Sequence, residues 1–434
     1  MNLQPQSEQV VASTAAPAKS PGRWRHWYRV AAYAVLNSLL LLLLANLVLY
    51  MVISARGTTQ GDDPIERYGD TVLKAYPGWR VEDVKTLLRE TYREATMEYE
   101  PFTGFRNRPL QKRFVHVDPA GFRFSKNQAP WPPRPEATNV FVFGGSTAWG
   151  MGLPDDETIA SYLQECVSAS DSSRPVAVYN FARTYYFSSQ ERILFQQLLV
   201  GGFVPQVAVF IDGLNDFGFP DGQPRFTDRF RRFMAGQVQA GSSPLDNVPM
   251  VKAAHWLSYR WAKPQPRKSA DNPSPEVLEG VTSRWLANKK IIESIASSFG
   301  VRPIFVWQPI PTYKYDLDYH ILSHGSFNPR TDPQGSTRYG LMENLWHQGR
   351  LGPNVLWLAD GYALMENLRA QGKLGPNVLW LADMQQDKHE NLYVDAVHYT
   401  AAFSKEIAGQ ICGVLGGLHD GGSRPRRPQE IRTQ

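Results

Sequence analysis

Cysteine is nearly absent: the 434-residue chain has only Cys166 and Cys412. Without a CxxC pair they make neither a zinc ligand set nor a redox motif. Charge is also thin. At 20% charged and 42% hydrophobic residues, the composition excludes a wholly disordered or collagen-like chain and leaves a globular protein able to bury a core. The net charge of +5 excludes little until it is located. Residues 1–56 hold Glu8 against five basic side chains, and residues 419–434 hold Asp420 and Glu430 against four arginines, so 57–418 carries a net −1. A nucleic-acid-binding domain concentrates positive charge on its folded face, so no nucleic-acid partner is expected.

The longest stretch without charge is also the most apolar. Between Arg29 and Arg56 lie 26 uncharged residues centred on six consecutive leucines, Leu39 to Leu44, and about 20 suffice to cross a bilayer. A transmembrane anchor is expected over 30–55. A cleavable signal peptide usually has an apolar region of only ~7 to 15 residues, although Ser54 and Ala55 offer small residues for cleavage. Lys19, Arg23, Arg25 and Arg29 precede the span, and no acidic residue occurs between Glu8 and Asp62. By the positive-inside rule, 1–29 is then a disordered basic cytoplasmic tail. The expectation is a single-pass protein of a cell inner membrane, with everything after Arg56 periplasmic or extracellular.

Residues 56–135 read as a preface, with a helical pattern over 81–92, short strands and turns over 102–124, and a proline-rich linker at 129–135. From 136 to 418, short apolar runs alternate with helical segments, the pattern of α/β architecture with a parallel sheet. Strands are expected over 139–144, 176–180, 206–212, 302–308 and 377–383, and helices over 158–168, 188–199, 275–299 and 401–415. A long insertion at 217–275 carries Arg225, Arg229, Arg231 and Arg232, and such loops are often lids or binding loops. At 339–383 the chain is duplicated in tandem with a period of 23: YGLMENLWHQGRLGPNVLWLAD recurs as YALMENLRAQGKLGPNVLWLAD, identical at 18 of 22 positions. Two copies are too few for a solenoid, so one copy is structurally surplus and the second is expected to supply the fifth strand. Residues 419–434 read as a basic disordered tail.

The strongest site signal is NVFVFGGSTAWG, beginning at Asn139: an apolar strand, a glycine turn and Ser146 at a helix start. In open α/β sheets ligands bind at the carboxyl ends of strands, and a helix start favours developing negative charge. A phosphate-binding loop is disfavoured because no Lys follows as GK[ST], the GxGxxG spacing is absent, and the second strand ends at Asn180 instead of an acidic residue. The third strand runs into Gly213, Leu214, Asn215 and Asp216, which places an amide at the same edge. Near the C-terminus, Asp395 and His398 stand three positions apart. A serine needs a base for its proton, and the base needs a group that fixes its tautomer. His320 and His324 are spaced i, i+4, but Gly325 and nearby prolines break the helix and no third ligand follows, so no metal and no cofactor is expected.

In this order the blocks resemble the SGNH hydrolases, also called GDSL esterases and lipases, over about 140–415. The resemblance implies a doubly wound, flavodoxin-like three-layer parallel sheet behind the transmembrane helix. It also implies Ser146 as nucleophile, Asp395 and His398 as its DxxH partners, and an oxyanion hole from the N–H groups of Ser146 and Ala182 with the Asn215 side chain. Gly145, Gly213 and Asp216 would support the site. The chain departs from the family twice: Gly145 stands in place of the motif's aspartate, and Ala182 replaces the usual glycine donor, where a β-carbon alters the backbone freedom. The strand order would also bring the helices bearing Cys166 and Cys412 side by side, so the two either form a disulfide or remain buried thiols.

The implied function is a membrane-anchored extracytoplasmic serine esterase that cleaves an O-acyl ester of a small molecule or of an envelope or extracellular glycan. Two alternatives fit the same residues. One is an O-acyltransferase delivering the acyl group to a polysaccharide hydroxyl, since similar anchored members of the family work beside multi-spanning acyltransferases. The other is a catalytically silent glycan-binding or assembly protein that keeps the fold.

Overall fold

The computed structural model describes residues 22–56, 64–65, 69–170, 174–235, 248–251, 274–322 and 358–416. The expected C-terminal tail, residues 1–21 of the N-terminal one, much of the insertion, His324 and residues 339–357 of the first repeat copy lie outside them, whereas residues 22–29, expected as disordered tail, are helical and continuous with the apolar span.

The chain forms two compact units, one of 1–59 with 239–265 and the other of 60–238 with 266–434. The first contains α1 (Gly22–Arg56). Within it, Trp24–Met51 has a mean hydropathy of 2.2 and no buried residue, so this helix is long and apolar enough to cross a membrane. Its one amide-bearing side chain near the end of the leucine run, Asn46, donates to the Leu42 carbonyl one turn back at 2.9 Å.

In the second unit a 3₁₀ helix, Gly69–Ala75, precedes α2 (Val81–Arg89). The 81–92 helix expected from periodicity changes pitch at its end, where Glu90–Glu94 forms a π-helical turn closed by Ala95 N–H to the Glu90 carbonyl at 2.9 Å. Two small antiparallel pairs follow, β1 (Met97–Glu100) with β2 (Gly104–Asn107) and β3 (Leu110–Gln111) with β4 (His116–Val117).

The main sheet is built from β5 (Thr138–Gly144), β6 (Val176–Asn180), β7 (Val207–Asp212), β8 (Arg302–Trp307) and β9 (Val378–Trp380). All are parallel, in the order β6-β5-β7-β8-β9, a flavodoxin-like doubly wound arrangement. The intervening helices are α3 (Ser146–Trp149), α4 (Ile159–Ser170), α5 (Ser188–Val200), α6 (Leu214–Gly218), α7 (Thr227–Met234), α8 (Pro275–Phe299), α9 (Leu358–Ala370) and α10 (Ala401–Gly416).

Alternation along the strands sorts the core into two chemistries, since successive side chains in a strand point to opposite faces. Val140, Val142, Val207, Val209, Ile211, Ile304 and Val306 pack with α4, α10 and α2. The residues between them, Phe141, Phe143, Phe210, Phe305 and Trp307, pack with α5, α8 and α9. The proline-rich 129–135 stretch has no regular structure, but its Trp131 ring lies 4.6 Å from Phe203 and 5.4 Å from Tyr179, so it is packed against the aromatic layer. Cys166 in α4 and Cys412 in α10 form a disulfide with a Cα separation of 6.3 Å.

The second repeat copy supplies β9, which is shorter than the expected 377–383 because it sits at the sheet edge and pairs only with β8, which itself ends at Trp307.

Candidate active site

Ser146 follows Gly144 and Gly145 at the carboxyl end of β5 and begins α3. That helix lasts only four residues because Gly150 turns it off in the left-handed region at φ +91°. The field of a full helix expected behind Ser146 is therefore absent, and only local N–H groups remain.

Asp395 and His398 lie in one tight loop, closed by Val394 N–H to the His398 carbonyl at 2.8 Å and by pairing of Tyr393 with Tyr399. The three-residue spacing follows from aspartate's habit of bonding the backbone two and three residues on. Asp395 Oδ1 accepts the N–H groups of Val397 and His398, each at 2.9 Å. This leaves Oδ2 to face the ring, where it accepts from His398 Nδ1 at 2.7 Å. His398 Nε2 is then the acceptor for the Ser146 hydroxyl, 2.8 Å away.

A residue unforeseen from the sequence completes the chain. The Tyr92 hydroxyl, from the π-helical turn, donates to the same Asp395 Oδ2 at 2.6 Å, and the Tyr92 ring stands edge-on to His398. Burial pushes the Asp395 carboxyl up, but the adjoining His398, the Tyr92 hydroxyl and the Val397 N–H together hold it well below the usual carboxylate range. Tyr92 carries no sequence signal beyond closing an amphipathic helical pattern, 303 positions from its partner.

The Asn215 amide projects from α6 to the turn before Ser146. Its Nδ2 donates to the Tyr186 carbonyl at 2.7 Å, which leaves the second Nδ2 hydrogen for another acceptor. A β-carbon built on Gly145 would collide with this Nδ2 and lie 3.1 Å from the Tyr186 carbonyl. A side chain at 145 would therefore have to displace the Asn215 amide. Gly213 is required twice over, by its φ of +129° and because a β-carbon would overlap the Tyr362 hydroxyl. Ala182 is buried, and its N–H donates to Asn180 Oδ1 at 3.2 Å. Of the three expected oxyanion donors it is the one whose hydrogen is already engaged.

The loop between β6 and α5 is held from the preface. Arg183, fully buried, pairs with Glu100 at the end of β1 and donates to the Tyr186 hydroxyl at 2.8 Å. The Tyr186 hydroxyl donates to the Phe105 carbonyl at 2.5 Å, and Gln190 to the Thr103 carbonyl at 2.7 Å. On the other side, buried Arg123 donates to the carbonyls of Trp149, Gly150 and Leu153 at 3.0, 2.7 and 2.6 Å and to Asp155 at 2.9 Å. Arg123 thus grips the turn that follows Ser146.

Asp216 accepts from the Ser188 hydroxyl at 2.5 Å, and its carbonyl accepts from Arg284 at 3.0 Å. It lies with Asp212 and Glu191 in a fully buried group of acids. Burial pushes all three up, and repulsion from neighbouring acids adds to it at Glu191 and at Asp212, which reaches about 8. Among the described residues no group of three or more His, Cys, Asp or Glu side chains is arranged to hold a metal ion. His320, half of the pair considered from sequence, is buried and stacked on Tyr393, and burial lowers it to about 4.

No protein-family pattern matches the chain, and no curated protein sequence matches it. Its structure is similar to several solved ones. A member of the lipolytic protein G-D-S-L family from Veillonella parvula DSM 2008 is 13% identical, with 65% of this chain and 100% of that one covered at a TM-score of 0.31. The lipase Lip_vut3 from a goat rumen metagenome is 9% identical, covering 65% and 98% at a TM-score of 0.35. The psychrotrophic esterase EstA from Pseudoalteromonas sp. is 10% identical, covering 64% and 97% at 0.31.

Proposed function

We propose that this chain is a serine esterase of the SGNH type, and the observation that carries the reading is the continuous hydrogen-bonded line from Ser146 through His398 to Asp395. His398 Nε2 takes the Ser146 proton as the oxygen attacks an ester carbonyl, and Asp395, held ionised, stabilises the imidazolium that forms. The tetrahedral oxyanion is received by the Ser146 N–H and by the second hydrogen of Asn215 Nδ2. The Ala182 N–H contributes only as far as it is shared with Asn180. His398 then protonates the leaving alkoxide. A second acceptor, water or a hydroxyl, is deprotonated by the same nitrogen and attacks the acyl-enzyme, restoring Ser146.

The location proposed is extracytoplasmic, with α1 as the anchor and the N-terminus cytoplasmic. The basic flank before α1 supports the direction, and a disulfide closing 246 positions of sequence suits an oxidising compartment. O-acyl groups of an envelope or extracellular glycan are the substrate class such a location offers.

The test is labelling of the full chain by a fluorophosphonate probe. Wild type should label and Ser146→Ala should not, with turnover falling by about 10⁶. Equal labelling of both would end the catalytic reading. Acetate release from an acetylated oligosaccharide, measured against transfer to an added glycan acceptor, separates hydrolase from transferase.

A further inference from the structure

The insertion after β7 builds a surface that the ester chemistry does not use. On α7, Phe230, Phe233 and Met234 recur at i, i+3 and i+4, one face of a helix, and Phe226 stands immediately before its first residue. All four are exposed, Met234 at 69% and Phe230 at 50%. The row continues onto the preface hairpin, where Tyr99 stacks on Phe230 with ring centroids 6.0 Å apart. At the tip of that hairpin Phe102 is 83% exposed. Single exposed apolar residues are ordinary, but a contiguous row of this kind marks an interaction surface.

Charge identifies the partner. Arg225, Arg229, Arg231 and Arg232 flank the row against Asp221 and Asp228, all exposed. The one ion pair among them, Arg231 with Asp228 at 3.5 Å, joins two solvated side chains and takes up little of the positive field. An acidic glycan would pair with the arginines and stack a sugar on a free ring face, but Phe230 already carries Tyr99 on one face and Met234 offers a sugar neither a ring nor a polar tip. An interfacial helix needs both, with apolar side chains at the acyl boundary and arginines reaching the phosphates.

We propose that the face made by α7 and the β1–β2 hairpin docks on an anionic phospholipid bilayer. The inference rests on the anchoring half of the proposed function and is independent of its chemistry. A spanning α1 would tether this face to the same membrane, so weak docking would suffice at the high effective concentration of a tethered surface. Each arginine near an anionic surface favours the docked state by about fivefold.

The test uses the full chain in nanodiscs. An environment-sensitive fluorophore is placed at Met234→Cys, and a control at Ser298→Cys on the exposed end of α8. Cys166 and Cys412 are bonded to each other and do not compete for label. Bilayer-buried doxyl lipids serve as quenchers. In phosphatidylglycerol discs the label at 234 should be quenched and the one at 298 should not. Arg229→Gln with Arg232→Gln should lower the docking equilibrium constant read from the quenched fraction by about 25-fold, at roughly fivefold each, and phosphatidylcholine discs should act in the same direction. Phe230→Ser with Phe233→Ser should abolish quenching with the arginines intact. Equal quenching at 234 and 298, no dependence on lipid charge, or shielding of 234 by a soluble acidic polysaccharide in place of the bilayer would overturn the proposal. A chain that does not co-elute with the discs overturns docking and anchoring together, whereas Ser146→Ala should dock as wild type does.

Discussion

Two sets of buried carboxylates sit at the carboxyl edge of the same sheet and are driven to opposite states. Asp395 is buried with four donors around it: His398 Nδ1, the Tyr92 hydroxyl and the backbone N–H groups of Val397 and His398. Asp212 accepts from Trp285 Nε1 at 2.9 Å and faces the acids Glu191 and Asp216. Burial opposes ionisation in both places. Donors outweigh it at Asp395, whereas at Asp212 like charges add to it. Depth alone therefore says nothing about a buried acid's role; the donors decide whether it can hold a histidine or stays protonated beneath the scaffold.

The sharpest way to break this contrast is Asp395→Asn, which keeps the shape and removes the charge. Turnover should fall by about 10⁴ while the fold persists, whereas Asp212→Asn should leave turnover within a few-fold of wild type. Comparable losses in both variants would erase the distinction. Asn215→Ala tests the donor above the acidic group and should cost about 10² to 10³ in kcat, with KM little changed.

Tyr92→Phe removes one of the four donors. A hydrogen bond to a charged group contributes about 1.5–3 kcal/mol, so kcat should drop by about tenfold or more without a change in KM, because Tyr92 touches Asp395 and not the substrate. Its pH signature follows from the depressed carboxyl. The stability contributed by Asp395 is present above its unfolded value of 3.8 and is lost as pH falls through the folded value. The phenylalanine variant should therefore unfold in acid at a higher pH than wild type, and a coincident acid transition would show that the Tyr92 bond does not act on Asp395.

The smallest effect is expected at Asp212, with the opposite sign. Its raised carboxyl contributes stability that is fully present below 3.8 and is lost as pH rises to about 8. Asp212→Asn should flatten the fall of Tm across that window. A slope equal to wild type would place the sensitivity in Glu191 or Asp216.

Much of the frame was legible in the sequence because it is written in local patterns. Alternating apolar runs located the five strands within a residue or two, except for β9, and the DxxH spacing described a turn whose geometry Asp395 closes by itself. The tandem repeat shows the limit of such reading. Leu-Ala-Asp occurs at 358–360, where it starts α9, and at 381–383, just past the end of β9. Identical residues adopt different structures because Leu381 N–H finds the Trp307 carbonyl of the neighbouring strand, a partner that local sequence does not encode. The preface likewise read as separate from the domain it precedes. Its Tyr92, Glu100 and Arg123 reach the site only because the chain folds back, and no spacing rule links residue 92 to residue 395.

By itself, the sequence determined the order of strands and helices, the apolar span at the N-terminus and the three blocks bearing Ser146, Asn215 and the Asp395–His398 pair. Each depends on periodicity or on contacts within a few residues. Tertiary structure alone decided that Tyr92 bonds Asp395, that the Ala182 N–H is taken by Asn180, that Gly145 makes room for Asn215, and that Cys166 meets Cys412. Apart from the Ala182–Asn180 bond, a local turn at the end of β6, these are close approaches between distant segments, and hydrogen bonds and steric exclusion act over a few ångströms of space whatever the separation along the chain.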